Sequence, residues 1–454
     1  MWRRFEMSES IALPRLGGVN RQIFRAAAAL AAAGVVVKCA ATLKEFAVAG
    51  VYGRSDAMDA FLAAFLIPNL LINLISESMN QALIPTLIRV RLQEGHERAQ
   101  QLLSSSMASM CLLLMAASVA MAALARAFFP LIGSNFSSAK LDLSVRLFYV
   151  LLPVVLLSGI ASNCTAVLNT FERFAVPALA PIVVPLSIVA GTLLLHHVFG
   201  IWAIVYSTLF GSALHAVLVG AMMHRRGYGF RLRWHGANDA TREVAHQYGP
   251  VLLSSVVASG GLLVDQAMAA MLPAGSVSAL VFAGRFVSVV VTLLAGAVSS
   301  AVVPYFSSMI AMKDWQGCRN TLRTWVRLTA LVSVPIAFLL IAGSHFLIRA
   351  TLQHGVFGAQ DTAVVTPVLA MYAIQIPFFV VSRVFYRFLV AMRRTDLVLY
   401  CGVLNLVLDV ALNLLLMRWL GVAGIALSTS LWSISTLVFL GYWTRKVLER
   451  RSQG

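Results

Sequence analysis

The stretch Gly-Ile-Trp-Ala-Ile-Val-Tyr-Ser-Thr-Leu-Phe-Gly-Ser at 200–212 returns at 421–433 as Gly-Val-Ala-Gly-Ile-Ala-Leu-Ser-Thr-Ser-Leu-Trp-Ser. Gly, Ile, Ser, Thr and Ser keep their register between the two copies. Chance supplies single matches of this kind between apolar segments, so the second and third landmarks decide the matter. Ala82-Leu-Ile-Pro85 pairs with Ala301-Val-Val-Pro304, and Leu152-Pro153 with Ile376-Pro377. The offsets are 221, 219 and 224 residues, in the same chain order. A duplicated chain of two similar halves is the expectation.

Outward from these landmarks the chain is a succession of long apolar runs. It is 59% hydrophobic and only 12% charged, against roughly 45–50% and about 25% in soluble domains. A membrane span needs about 20 mainly apolar residues. Twelve runs qualify, at about 27–50, 57–84, 102–131, 146–169, 177–197, 200–222, 248–271, 277–310, 325–348, 363–392, 397–417 and 421–443. None reads as the alternating strand of about ten residues that a membrane barrel uses. The sequence predicts an all-α polytopic membrane protein of about twelve transmembrane helices. Residues 1–222 form one six-helix bundle, 223–247 a cytoplasmic linker and 248–454 the other bundle. Six spans return the chain to its starting side, so the halves share one orientation around a central cavity, the parallel-repeat plan of many transporters.

Residues 26–34 follow a basic start and have small-residue cleavage character, but the apolar run continues past Lys38, so the helix is expected to be retained. The five cysteines are scattered and form no CxxC or Cys/His cluster, which removes metal and disulfide frameworks from consideration. Basic residues gather on alternate connections: five at 3–25, three at 89–98, Arg173, five at 225–242, four at 313–327, Arg393 with Arg394, and four at 445–451. The other connections hold only Arg54, Lys140, Arg349 and Arg418. Positive charge favours the cytoplasmic side, so both termini are expected there. The net charge of +17 then reflects topology and anionic membrane lipids, with no soluble basic domain for nucleic acid. The 223–247 segment reads either as an amphipathic strip on the inner leaflet or as a solvated loop, and 86–100 either as a similar surface helix or as a solvated loop.

Charges at bilayer depth are costly and mark functional paths. Span one carries Lys38, Lys44 and Glu45, span two Glu77 with Asp59 at its outer mouth, and span eight Arg285. Lys38 and Glu45 are seven residues apart and so fall near one helical face. Ion pairs that fix packing are one reading. The three cations outnumber the two deep carboxylates, however, and a cationic cavity suits a phosphate or pyrophosphate, gripped bidentately by Arg and as a point charge by Lys. Asp265 on span seven, with Asn405 and Asp409 four apart on span eleven and Thr429 on span twelve, offers hard oxygens for Na⁺ or a carboxylate pair for H⁺. A hydrogen-bonded polar contact between helices is the alternative there. Pro68, Pro153, Pro181, Pro185, Pro335 and Pro377, with Gly260-Gly261, are candidate hinges.

The stretch Lys38…Lys44-Glu45…Gly53…Asp59-Ala-Phe61…Pro68-Asn-Leu-Leu71…Glu77…Gln81-Ala…Pro85 resembles the MurJ family of lipid II flippases, within the wider group of multidrug and oligosaccharidyl-lipid exporters. Gly275-Ser-Val-Ser-Ala-Leu-Val-Phe-Ala-Gly-Arg285 resembles the segment supplying that family's second-half arginine, and His354-Gly-Val-Phe357 its outer motif. The resemblance implies export of an undecaprenyl-pyrophosphate-linked saccharide from the inner to the outer leaflet of the bacterial cytoplasmic membrane by alternating access. Lys38, Lys44 and Arg285 would bind the pyrophosphate, with Glu45, Asp59 and Glu77 as polar and gating partners. Asp265, Asn405, Asp409 and Thr429 would form a coupling-ion site. No other cofactor is implied, and the partners would be the machinery of cell-wall or exopolysaccharide synthesis.

This chain has Lys at two positions where the family usually has Arg, and Ile72 where a further basic residue is expected; many members also carry two further helices associated with the lipid tail. A lipid-linked exopolysaccharide or O-antigen unit is the alternative cargo. A multidrug exporter would need an acidic cavity for cationic substrates. A membrane-embedded polymerase or acyltransferase would need catalytic groups in a large outer loop, and no outer connection exceeds about 15 residues; a transporter, not an enzyme, is expected.

Overall fold

The computed structural model describes residues 16–133, 135–168, 175–229, 232–236, 238–392 and 394–452. Arg3, Arg4, Arg15, Arg173, Arg231 and Arg393 of the charge pattern lie outside the described residues. Twelve long helical stretches follow one another, here labelled α1 to α12. They are α1 Leu16–Tyr52, α2 Asp56–Gln93, α3 His96–Ile132, α4 Ser138–Leu168, α5 Pro177–Phe199 and α6 Trp202–His224. Then come α7 Asp239–Ala269, α8 Ser276–Ala311, α9 Trp315–Ala342, α10 Ala359–Ala391, α11 Thr395–Leu420 and α12 Val422–Ser452. A short helix, Ser344–Thr351, precedes α10. Among the described residues, ten of the twelve are long and apolar enough to cross a membrane. The remaining two are α1, which carries Lys38, Lys44 and Glu45, and α7, which carries Asp265.

Local chemistry sets the ends. Ser55 caps α2 by accepting from the Met58 amide at 3.2 Å, Asn238 caps α7 through Thr241 at 2.9 Å, and Asp314 caps α9 through Gly317 at 2.7 Å. Each satisfies one of the amides that a helix start leaves without an intrahelical acceptor. Gly200 and Gly421, the first residues of the repeated stretch, end α5 and α11 with φ of 55° and 56°. That left-handed backbone favours glycine, and both copies adopt it.

Inside α2 the α-pattern gives way to a wider π-turn over Ile72–Glu77, four residues after Pro68. Pro181 lies in a 3₁₀ turn, Ala180–Ile182, and α10 breaks at Ile374, beside Pro377. Pro153 and Pro335 sit within continuous helices. Three of the candidate hinges thus accompany an irregular turn.

Helices α1–α6 pack chiefly on one another, as do α8–α12; α7 packs on α2 and α3 even more than on α11, and α1 and α2 also meet α8. At the end that carries the 225–238 connection, Ser78 donates to Ser255 at 2.9 Å and Arg89 pairs with Glu243. At the distal end the Val356 amide donates to the Gly50 carbonyl at 2.8 Å. Arg54 bridges to the Gly275 carbonyl at 3.0 Å and Asp361 at 3.3 Å. This approach leaves no room for side chains: a Cβ on Gly355 would lie 2.0 Å from the Gly50 oxygen.

Two surface expectations are corrected. Residues 86–100 form no separate surface helix; they complete α2 and begin α3, hinged at Gly95 with φ 92°. The polar residues Arg, Gln and Glu are good helix formers, so both helices overrun the apolar core. The described residues of the 223–247 segment are neither a free loop nor a membrane-surface helix throughout. Its last residues are the first turns of α7, while Tyr228, 2% exposed, is packed into the first half. There the Tyr228 ring lies 4.4 Å from that of His96, and Gln100 pairs with the Gly229 backbone at 2.8 and 3.0 Å.

Candidate functional site

Glu45 is the centre of the first constellation. It is only 4% exposed, and its Oε1 accepts from Lys44 Nζ at 2.9 Å and from Arg285 Nε at 3.0 Å. One carboxylate from α1 therefore holds one cation from its own helix and one from α8 in the other half. Phe46 stacks on Phe286 beside it, with centroids 6.1 Å apart. The two cations stay accessible, Arg285 at 51% and Lys44 at 22% of their side-chain surface. With one negative and two positive charges, the open side of the group is cationic.

Lys38 stands two turns away along α1, exposed and in no ion pair among the described residues. Glu77 closes the π-turn of α2, where it is exposed and accepts from Ser162 of α4 at 3.0 Å. Ser162 in turn accepts from Asn80 at 2.7 Å. Neither residue joins the Glu45 group, though both are presented to solvent-accessible space.

Asp59, expected as a polar and gating partner, does not join the Glu45 group. It is 1% exposed and accepts from the Gly275 amide at 2.6 Å and the Ser278 amide at 2.9 Å. Lys140 donates to it at 3.2 Å while also reaching Asp56 at 2.7 Å. Its carboxylate caps α8, the helix that carries Arg285, from across the interface between the halves. Unpaired amides and partial positive charge at a helix start draw a carboxylate there.

The second constellation lies within the second half. Asp265 and Asp409 are 7% and 2% exposed. Asn413 Nδ2 donates to Asp265 Oδ1 at 2.8 Å and is 3.4 Å from Asp409 Oδ1. Thr429 donates to Asp265 Oδ2 at 3.2 Å, and Ser428 lies 3.5 Å from Asp409 Oδ1 and bonds to Asn413 Oδ1. Asp409 Oδ2 is buried without a hydrogen-bond partner and faces Gly261, where a Cβ would come within 3.3 Å.

Asn405 is not a member of this group. Its Oδ1 accepts from Thr436 at 3.0 Å and its amide lies 3.8 Å from Cys401 Sγ, because one helical turn carries it away from Asp265 towards α12. Asn413 and Ser428 take its place. Their signal was present in the sequence: Asn405, Asp409 and Asn413 form one i, i+4 stripe, and Ser428 adjoins Thr429. The donor set fits a hard cation or a proton, because it consists of carboxylate, amide and hydroxyl oxygens, one of them orphaned. No basic side chain forms an ion pair with either aspartate among the described residues. No group of three or more His, Cys, Asp and Glu residues able to hold a metal occurs among them either.

A cationic group between two six-helix sets, beside a separate acidic group, is the setting in which the comparisons are informative. The profile described as lipid II flippase MurJ matches residues 48–453. The chain belongs to the lipid II flippase MurJ family. Among the relatives, the lipid II flippase MurJ of Burkholderia cenocepacia is 24% identical over 449 residues, covering 94% of this chain and 85% of that protein. The probable lipid II flippase MurJ of Buchnera aphidicola is 24% identical, covering 90% and 80%. A solved lipid II flippase MurJ in an inward closed conformation superposes with a TM-score of 0.80 at 21% identity, over 93% of this chain and 90% of that one. An inward-facing multidrug resistance MATE family transporter of the MOP superfamily gives 0.76 at 11% identity, over 92% and 96%. The all-helical polytopic fold is thus shared with transporters of that superfamily. Membership in a family of flippases makes this a multi-pass inner-membrane transporter rather than an enzyme.

Proposed function

We propose that this MurJ-family chain moves an undecaprenyl-pyrophosphate-linked saccharide of the lipid II type from the inner to the outer leaflet by alternating access. Both termini and the 225–238 connection then face the cytoplasm, and the distal end faces outward. The observation that supports this most directly is Glu45 held by Lys44 and Arg285, one cation from each half. A pyrophosphate entering the group competes with Glu45 for both cations, so binding and the relative position of the halves become linked. The distal contacts made by Asp59, Arg54 and Gly50 would have to open for release.

Coupling to Na⁺ or H⁺ at Asp265 and Asp409, with Asn413, Ser428 and Thr429 completing the shell, is part of the same proposal. Two adjoining carboxylates in an apolar bundle need a counter-charge. A cation or proton would supply it, and its arrival or departure would bias the packing of α7 against α11 and α12.

A lipid-linked exopolysaccharide or O-antigen unit is the second reading, favoured by Ile72 and by Lys at positions 38 and 44. Lys holds phosphate as a point charge and lacks the bidentate fork of Arg. Complementation separates the two. Rescue of a bacterium depleted of its lipid II flippase supports the first reading; rescue only of a strain lacking an exopolysaccharide flippase overturns it.

A further inference from the structure

Helix α10 contains two arginines that neither constellation uses. Arg383 and Arg387 are one turn apart on its second segment, Gln375–Ala391, on the same face as Phe379 and Tyr386. The Arg383 guanidinium lies 4.2 Å from the centre of the Phe379 ring and 5.4 Å from that of Tyr386. Its titratable neighbours are Tyr386, Arg387 and Cys401, and among the described residues no carboxylate forms an ion pair with it.

A guanidinium at membrane depth that is flanked by aromatic rings and a second arginine is costly unless an anion joins it. Lipid does not surround this helix: no described residue of Gln375–Ala391 is exposed, whereas Phe379, Arg383, Tyr386 and Arg387 are each partly accessible. Around this segment lies a polar layer of the second half that includes Cys401, Asn405 and Thr436. The Asp409 group starts one turn further along α11.

We propose that Arg383 forms an anion subsite in the second half that receives the pyrophosphate of the lipid-linked substrate. It is distinct from the Lys44–Glu45–Arg285 group. Phe379 and Tyr386 hold the Arg383 plane by cation–π contact, which leaves its N–H edge free for bidentate phosphate binding. This inference rests on the proposed flippase reading for its choice of ligand.

The test uses the full chain in detergent, with farnesyl pyrophosphate as probe and farnesol as the uncharged control, read by calorimetry. Arg383→Ala should weaken binding by about tenfold or more, the range of one charge-assisted contact, and Arg383→Lys should recover part of the loss. Thermal melts of each variant report folding. If Arg383→Ala binds like the wild type while Lys44→Ala is weakened, the subsite is overturned and the flippase reading stands. If the wild type fails to bind farnesyl pyrophosphate at all, both fall. The same titration in nanodiscs distinguishes a lipid headgroup from the substrate: an Arg383→Ala effect present in phosphatidylcholine but abolished by phosphatidylglycerol would reassign the subsite to resident anionic lipid and overturn the substrate assignment.

Discussion

Replacing Asp59 by Ala should open the distal end. Its carboxylate accepts two backbone amides of the other half, Gly275 at 2.6 Å and Ser278 at 2.9 Å, and a Lys140 ammonium at 3.2 Å. Hydrogen bonds to a charged partner are worth about 1.5–3 kcal/mol each when lost, and a helix cap about 0.5–2 kcal/mol. Lys140 keeps Asp56 at 2.7 Å, so its ammonium is not orphaned, and water reaches the freed amides once the halves part. A net loss of about 3 kcal/mol is the resulting expectation, a shift of about a hundredfold in the ratio of distally closed to distally open states. The assay is labelling of Ser276→Cys by a membrane-impermeant maleimide, in a background without the native cysteines. Ser276 is 5% exposed in the closed arrangement, so its labelling rate reports opening. Asp59→Ala should accelerate labelling by one to two orders of magnitude, and Asp59→Asn by less. An unchanged rate in protein that remains folded and inserted would refute the idea that this cap holds the halves together.

Lys44→Ala and Arg285→Ala should each abolish flipping in proteoliposomes while leaving insertion intact; activity retained in both would remove the argument from the Glu45 group. Asp409→Asn should make transport indifferent to Na⁺ and to pH, measured as flipping rate under imposed ion gradients. Gln100→Ala should raise hydrogen exchange at 227–236, because it removes both bonds to Gly229, while substrate binding stays at the wild-type level.

Twelve helices and their order were legible because each apolar run is long, and span length is a one-dimensional property. Of the charges expected to line one cavity, Lys44, Glu45 and Arg285 come together while Lys38 and Glu77 stand apart, and the bonding was not legible, since which cation meets which carboxylate depends on how α1 and α8 cross. Asp59 illustrates a different limit. An aspartate in the first turn of α2 looks like a mouth residue, and only the three-dimensional placement of Gly275 turns it into the cap of another helix. Asn405 was misplaced for a related reason. A stripe at i, i+4 extends in both directions, and the sequence does not say which end of it faces Asp265; Asn413 does. The burial of Tyr228 had no sequence signal beyond an aromatic in a basic segment, because its partners on α3 lie some 130 residues away.

The wide turn at Ile72–Glu77 has a mechanical meaning for α2. A π-turn takes up one residue more than the α-spacing requires, while keeping the faces before and after it in phase. Span two is in that sense a rod with a dislocation in it. Relaxing the turn to ordinary α-spacing at constant length would rotate Ser78–Gln93 by about 100° and advance it about 1.5 Å. That twist alone would carry Ser78 off Ser255 and Arg89 off Glu243 while Asp56–Leu71 stayed where it is. The two ends of one helix can thus be uncoupled without bending it.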